Sequence, residues 1–355
     1  MNRDRYLYLD MLKLFALLCM PCMHVLEIAD GLEMLEPAFP MATVQTILGI
    51  LYLVTPGVFL FSMGCSLALT QNNTPAAYAR RGLRLLWVGF ALNLLRAGIP
   101  YLLMGLLIDA SLYVEILNWA VLSDILYFDG LFFLLFAALK KLRCGDRTVL
   151  LIAVGMSVLS HFLPAPAFAT EAPGNLVGNF VYVDEFSSFP LLSWTIFPVF
   201  GYVYQRRRAA SADPKRVTLR LGIGSAAVLA VVSGALLATG RMEKRYFLWG
   251  EMGFRMDLPA TVLTLAVIGM WVCGMCFAAE RVRSAGVKRF VSRTAADINR
   301  IYCVHWVLVN YGILVWAMLA ETGFTRGWPM FATGLVIFAA AAWLARRKFI
   351  RRLLP

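Results

Sequence analysis

The first apolar stretch of the chain, residues 8–29, contains ionisable side chains of types that do chemistry, among them Asp10, Lys13 and His24. Lys13 and His24 are 11 positions apart, which is about three helical turns. A helix would therefore place both on one face, about 16 Å apart along its axis, unless Pro21 kinks it. Asp10 precedes Lys13 by three residues and could pair with it on that face. We expect a charged pair near one end of this helix and an imidazole, which titrates near neutral pH, past its middle.

Two further histidines complete the set of three. His305 lies in IYCVHWVLV, with Tyr302 three residues earlier and so on the same helical face. It is a second candidate for a proton-transferring base, the alternative being a histidine that is hydrogen-bonded inside a helix bundle. His161 ends another apolar stretch, and we expect a structural role for it.

Arg81 and Arg84 in YARRGLRLL open the third apolar stretch and, three residues apart, share a helical face. Two guanidinium groups placed in this way could bind phosphates through paired hydrogen bonds. The alternative is that they only anchor the helix at the membrane surface.

Acidic residues also occur inside the apolar segments. Asp124 and Asp129 lie in SDILYFDGL, five positions apart, and so point in different directions from a helix. Asp129 is deep enough in its segment to need a partner, and Arg96 of the third apolar stretch is one possibility for a structural ion pair.

Two Cys-x-x-Cys pairs, Cys19/Cys22 and Cys273/Cys276, do not indicate zinc, because four charged thiolates would then have to meet within lipid. Cysteine serves here as a small apolar residue. We predict no metal site.

Composition identifies the elements that position these residues. The 355 residues are 60% hydrophobic and only 15% charged, with a mean hydropathy of +0.71. Soluble proteins average about 45–50% apolar and about 25% charged residues, which excludes a soluble enzyme, a disordered chain and a small disulfide scaffold. Spans of about 20 apolar residues are expected instead. Hydropathy predicts ten: 8–29, 43–69, 83–106, 116–139, 148–166, 189–205, 217–239, 258–280, 298–320 and 328–346.

The basic residues set the predicted orientation of this bundle. The N-terminus and alternate loops carry 25 of the 33 Lys and Arg residues. The opposite loops carry five: Arg241, Lys244, Arg245, Arg255 and Arg326. Both termini are thus predicted to be cytoplasmic, and the net charge of +12 follows from this bias, with no need for a nucleic-acid partner. The expected fold is an all-α, multi-pass protein of the cytoplasmic (inner) membrane with one domain, 1–355.

Two segments have alternative interpretations. The first span could pass for a signal peptide, but its polar residues and the lack of a small-residue cleavage site favour a retained helix. The longest outer segment, 164–190, could fold over an outward-facing cavity or simply connect two spans.

The segment LDMLKLFALLCMPCMH (9–24) resembles the opening span of the transmembrane acyltransferase superfamily. This superfamily includes the acyltransferase-3 proteins and the heparan-alpha-glucosaminide N-acetyltransferase-like bacterial membrane proteins. Its pattern is Leu-Asp, two residues, Arg, ten residues, His. Leu9, Asp10 and His24 match it, whereas Lys13 stands in place of the arginine.

Further segments resemble the same superfamily in order along the chain. They are TPGVFLFSMGCSLAL (55–69), the Arg81/Arg84 pair, ILYFDGLFFLL (125–135), FPLLSWTIFPVFGYVY (189–204) and INRIYCVHWVLV (298–309). The segments 125–135 and 189–204 favour the heparan N-acetyltransferase-like branch, whereas the histidine of the first span favours acyltransferase-3.

The resemblance implies an acyltransferase that takes an acyl group, expected to be acetyl, from cytoplasmic acyl-CoA. The acceptor would be a hydroxyl or amine of an envelope glycan or another extracytoplasmic molecule. His24 would be the base, with Asp10 and His305 as the other catalytic candidates. The candidates for binding acyl-CoA are Lys13, Arg81, Arg84 and Tyr302.

Two other functions use the same residues. A secondary transporter of a small anion or a proton-coupled solute would also need intramembrane His, Asp and Arg groups, but no acyl-CoA. A sensor or assembly subunit of an envelope pathway would tolerate the loss of His24. The sequence leaves the acceptor, the acyl chain length and the oligomeric state open.

Overall fold

The computed structural model describes residues 6–31, 41–183, 187–242, 256–319 and 328–354. Over these residues the protein is all-helical, with 82% helix and no strand. This confirms the predicted all-α class.

The helices in chain order are α1 (Leu7–Gly31), α2 (Met41–Ala68), α3 (Pro75–Asn93), α4 (Ile99–Leu107), α5 (Tyr113–Ala120), α6 (Ile125–Lys141), α7 (Asp146–Phe162), α8 (Glu171–Gly178), α9 (Leu191–Trp194), α10 (Ile196–Ala210), α11 (Pro214–Ala238), α12 (Leu258–Arg281), α13 (Ala285–Ala296), α14 (Ile298–Leu319), α15 (Trp328–Leu344) and α16 (Lys348–Leu353). A π-helical turn, Leu94–Gly98, joins α3 to α4, and a 3-10 turn, Ala110–Leu112, precedes α5.

Five stretches of the described chain are long and apolar enough to cross a membrane: Leu7–Val25, Pro75–Leu107, Ala110–Lys141, Pro214–Ala238 and Leu258–Arg281. The protein is therefore a multi-pass membrane protein. The count of ten spans and the cytoplasmic placement of both termini stay predictions. Six of the basic residues used to predict this orientation lie outside the described residues: Arg3, Arg5, Lys244, Arg245, Arg255 and Arg326.

The third helix begins earlier than hydropathy predicts, at Pro75 rather than residue 83. Thr74 caps it, since its side chain accepts a hydrogen bond from the Ala77 amide at 3.2 Å. Proline at the first position costs no helical hydrogen bond. Polar residues at this end hide the boundary from a hydropathy window.

The predicted fourth span is interrupted at residues 121–124, between α5 and α6. Asp124 begins α6 by accepting a hydrogen bond from the Leu126 amide at 2.9 Å. The carbonyl groups freed near the break accept hydrogen bonds from asparagine amides: Asn175 Nδ2 donates to Asn118 O at 3.1 Å, and Asn179 Nδ2 to Val121 O at 3.2 Å. These carbonyl groups thus find hydrogen-bond partners within the protein, which is necessary where lipid offers none.

Those asparagines belong to the predicted outer segment 164–190, which contains α8. Asn118 also donates to Glu171 Oε2 at 3.1 Å, so α8 is tied to α5 from both sides. Helix α8 of this segment is therefore bonded to α5, while the folding of the segment over a cavity stays a prediction.

The chain divides into two compact units. One contains α1, the part of α2 up to Phe59, and the elements from Ile268 onward. The other contains the elements from Leu60 to α11 and the start of α12, up to Val267. The single-domain assignment stays a prediction.

In the first unit, α1 packs against α13, α14 and α15. Leu17 of α1 meets Ile301 of α14 and Phe338 of α15 in its core. Gly334 allows α15 to approach closely, since a Cβ there would come within 2.5 Å of the Cys22 Cα atom. These contacts fix the helix that carries Asp10, Lys13 and His24.

In the second unit, α3 and α6 form an antiparallel pair. Gly82 and Gly130 face each other, and a Cβ on Gly82 would lie 2.7 Å from the Gly130 carbonyl oxygen. Small residues at such crossings let membrane helices pack backbone to backbone. The neighbours Arg81 and Asp129 are thereby brought to the same level.

The predicted topology can be tested by labelling single cysteines placed at Asn73, Gly145 and Ala169, all exposed in the structure. Ala169 probes the outer segment because Asn175 within it is buried. We expect an impermeant thiol reagent added from outside to label position 169 only. Labelling of 73 or 145 from outside, relative to a background without the new cysteine, would overturn the orientation.

Candidate active site

His24 lies against α14 in a cluster of rings. Its imidazole stacks on that of His305, with ring centroids 5.4 Å apart and planes 17° apart. It also lies on the Trp306 ring, with a centroid distance of 3.7 Å. The two histidines that the sequence offers as competing bases are therefore in contact.

Helical spacing explains the α14 side of this cluster. Tyr302, His305 and Trp306 occupy positions i, i+3 and i+4 and so share one face, as predicted for the first two. Trp306 Nε1 donates a hydrogen bond to the Tyr302 hydroxyl at 2.8 Å. The Tyr302 ring meets His305 edge-on at 5.2 Å. Sequence reasoning missed Trp306, although its position directly after His305 offered the signal.

The backbone of α14 sets the tautomer of His305. Its Nδ1 lies 3.2 Å from the Ile301 carbonyl oxygen, which can only accept. Nδ1 therefore carries the hydrogen, and Nε2 is the basic nitrogen of the neutral ring. His305 is fully buried, whereas His24 is half-buried and the more accessible of the two.

Asp10 and Lys13 lie at the other end of α1. Ser292 of α13 donates a hydrogen bond to Asp10 Oδ2 at 2.7 Å, and Lys13 attracts the same carboxylate. The helix is continuous through Pro21, so the shared face predicted for Lys13 and His24 is retained. Asp10 is 14 positions from His24, about 21 Å along the axis. Asp10 thus does not reach the histidine cluster.

Arg81 is turned towards α6. Its guanidinium lies over the Phe133 ring, 4.5 Å from the centroid, and is attracted by the carboxylate of Asp129. Asp129 is 3% exposed, and its Oδ1 has no hydrogen-bond partner among the described residues. Arg84, one turn along α3, is exposed.

Arg96, the possible partner of Asp129, pairs with Asp124 instead. Arg96 NH2 lies 3.2 Å from Asp124 Oδ2, and both side chains are 3% exposed. The antiparallel register of α3 and α6 is the reason, because it sets the π-helical turn that contains Arg96 beside the start of α6. Asp129 lies beside Gly130, at the level of Arg81.

A polar network that the sequence did not predict joins α6, α7 and α10. Lys140 Nζ donates to the Tyr202 hydroxyl at 2.9 Å, and that hydroxyl donates to Asp146 Oδ1 at 3.1 Å. Arg206 Nε donates to Asp146 Oδ2 at 3.2 Å, and this hydrogen bond and charge raise the pKa of Arg206. Lys140 and Arg206, two of the basic residues that predict the orientation, are therefore held by Tyr202 and Asp146.

Among the described residues, no group of three or more His, Cys, Asp or Glu side chains is arranged to hold a metal ion. His161, assigned a structural role, accepts a hydrogen bond from the Leu258 amide at 3.5 Å through Nδ1.

The family model described as "Heparan-alpha-glucosaminide N-acetyltransferase, catalytic" matches residues 5–238, more than half of the chain. The chain belongs to this family. The membership confirms the resemblance found in the sequence and favours the heparan N-acetyltransferase-like branch over acyltransferase-3. It implies a membrane N-acetyltransferase. No curated protein and no solved structure matches the chain.

The N-acetyltransferase match includes His24, Arg81 and Arg84, whereas His305 and Tyr302 lie beyond it. His305 contacts His24 of α1, and Tyr302 contacts His305 and Trp306 on the same face of α14.

The buried Arg96–Asp124 pair can be tested by a double-mutant cycle in detergent solution. Arg96→Gln should destabilise the protein by about 3–5 kcal/mol, because it leaves a buried charge without its partner. Adding Asp124→Asn, which retains a capping side chain, should cost much less than the sum of the two single changes.

The matched comparison adds Asp129→Asn to Arg96→Gln, and there the two effects should sum. Thermal unfolding of all variants measures both couplings. Additive effects at Asp124 together with coupling at Asp129 would restore the pairing expected from the sequence.

Proposed function

We propose that this protein transfers an acetyl group from cytoplasmic acetyl-CoA to an amine or hydroxyl of an envelope glycan or similar extracytoplasmic acceptor. The observation that carries the proposal is the contact of His24, which lies in the family-matched region, with His305 and Trp306. Acetyl transfer needs a base at the acceptor, and a cluster with two imidazoles supplies one.

The proposed reaction exchanges one bond of the acetyl group for another and moves one proton from the acceptor. The acceptor nitrogen or oxygen attacks the thioester carbonyl carbon, and a new C–N or C–O bond forms as the C–S bond breaks. His24 takes the proton that the acceptor loses. The CoA sulfur leaves with the bonding electrons and is released as the thiol after it gains a proton.

The surroundings of His24 suit this role. It is the accessible member of the pair, so an acceptor can reach it, while the buried His305 supports it from α14. The Trp306 ring against His24 would stabilise the imidazolium formed when His24 accepts the proton.

The donor is anionic, and we assign its phosphates to cationic side chains. Arg81 and Arg84 are one turn apart on α3, and Lys13 occupies the position of the family arginine. Asp10 and Ser292 hold the Lys13 end of α1, so Asp10 acts as a positioning residue for the donor end. Tyr302, hydrogen-bonded to Trp306, is assigned to the acyl end of the donor.

His24→Ala should lower the transfer rate by about 10²–10⁴-fold, the usual contribution of general-base catalysis. The assay measures label transfer from radiolabelled acetyl-CoA to glucosamine-terminated glycans by purified protein in liposomes. His161→Ala is the matched control and should retain wild-type activity. His305→Ala should have a smaller effect than His24→Ala.

An inactive His305→Ala variant beside a fully active His24→Ala variant would move the base to α14. Full activity of both would refute the acyltransferase mechanism. Solute uptake without acetyl-CoA would favour a transporter.

Replacing Arg81 and Arg84 together by Gln should weaken acetyl-CoA binding at least tenfold, because hydrogen bonds to charged groups contribute about 1.5–3 kcal/mol each. Arg80→Gln removes a neighbouring exposed charge and is the control. Binding is measured by calorimetry on the detergent-solubilised protein. Equal affinity of the double variant and the control would make these residues topology anchors only.

Lys13→Arg, which restores the family residue, should retain binding.

A further inference from the structure

The C-terminal part of the first unit contains an open groove that the proposed chemistry does not use. Its volume is about 440 Å³, within the range of roughly 300–1,000 Å³ common for small-molecule sites. The apolar walls come from α13 and α15: Phe290, Phe338, Ala339, Ala342 and Trp343. Phe290 is 52% exposed and Trp343 57%, so two large aromatic surfaces line an open space.

Two arginines at the end of α15 form the polar rim of this groove, Arg346 and Arg347. Arg346 is held in place, since its NH2 donates to Thr294 Oγ1 at 3.1 Å and its Nε lies 3.8 Å from Asp297 Oδ2. Asp297 is also bound by Arg300 at 2.7 Å, so its charge is shared.

Arg347 differs from its neighbour. Its guanidinium lies over the Trp343 ring, 3.7 Å from the centroid. No carboxylate of the described residues forms an ion pair with it. The stacked ring orients this guanidinium and leaves its N–H groups available to a bound anion.

The helices on either side have the character of elements at a membrane surface. α13 carries Lys288, Arg289 and Arg293 together with the exposed Val287 and Phe290. α16 carries basic residues beside the exposed Phe349 and Leu353. Short helices with basic and aromatic residues lie in the interface between lipid headgroups and hydrocarbon.

We infer that this groove is a binding site for an anionic phospholipid, with an acyl chain against Phe290, Phe338 and Trp343 and the phosphate on Arg347. Charge complementarity selects the headgroup, since a zwitterionic lipid carries its own cation and gains less from this rim. Basic pockets between transmembrane helices bind anionic headgroups in the same manner.

Native mass spectrometry of the detergent-solubilised full chain tests the site, with phosphatidylglycerol and phosphatidylcholine added in parallel. We expect the wild type to retain phosphatidylglycerol preferentially. Arg347→Gln should reduce that preference about fivefold, the effect of one arginine on an anionic lipid surface. Arg220→Gln removes an equal, exposed charge on α11 and should not change the preference.

A second pair of variants tests the chain-binding wall. Ala339→Phe fills the groove without changing charge and should reduce phosphatidylglycerol retention, whereas Val336→Phe, one turn away on an exposed face of α15, should not. Equal retention of the two lipids by the wild type would overturn the proposal. So would an Arg347→Gln variant that behaves like Arg220→Gln, or displacement of the lipid by palmitoyl-CoA but not by lysophosphatidylglycerol.

Discussion

The fold depends on one constraint: polar groups within a bilayer must find their partners inside the protein. The break between α5 and α6 is possible because asparagine amides bind the carbonyl groups near it. Arg96 is tolerated in a buried turn because Asp124 neutralises it. Asp124 in turn caps α6, so one carboxylate both begins a helix and balances a charge.

Close backbone contacts at glycines set the relative positions of the helices that carry these polar groups. At the Gly82–Gly130 crossing, the two helices approach so closely that Arg81 and Asp129, next to the glycines, come to the same level. Arg81 and Asp129 attract each other electrostatically for that reason, and the guanidinium lies over the Phe133 ring. In the other unit, Gly334 brings α15 against Cys22, two residues before His24 on α1. Small residues thus set the positions of the groups proposed to do the chemistry.

Individual side chains could be predicted from the sequence, but most of their partners could not. Rare residue types at helical spacing indicated His24, His305 and Tyr302 as candidate site residues, a role that stays a prediction. The contact between His24 and His305 depends on how α1 and α14 pack, which no local pattern encodes. The sequence offered Arg96 as a possible partner of Asp129, whereas it pairs with Asp124, because this pairing depends on the register of two antiparallel helices. Hydropathy is continuous across residues 121–124, so the break was missed, although Ser123-Asp124 before an apolar run is a helix-start signal.

Asp129 beside Arg81 has a consequence for turnover under the proposed reaction. Acetyl-CoA and the CoA product carry the same phosphates, so every interaction with those phosphates holds substrate and product equally and slows the departure of the product. The buried carboxylate of Asp129 already neutralises part of the positive charge of the Arg81 guanidinium, so this guanidinium would attract the phosphates less strongly. It therefore limits how tightly the nucleotide end can be retained. The Arg81–Asp129 pair would thus lower the affinity for acetyl-CoA and, in return, allow CoA to leave faster.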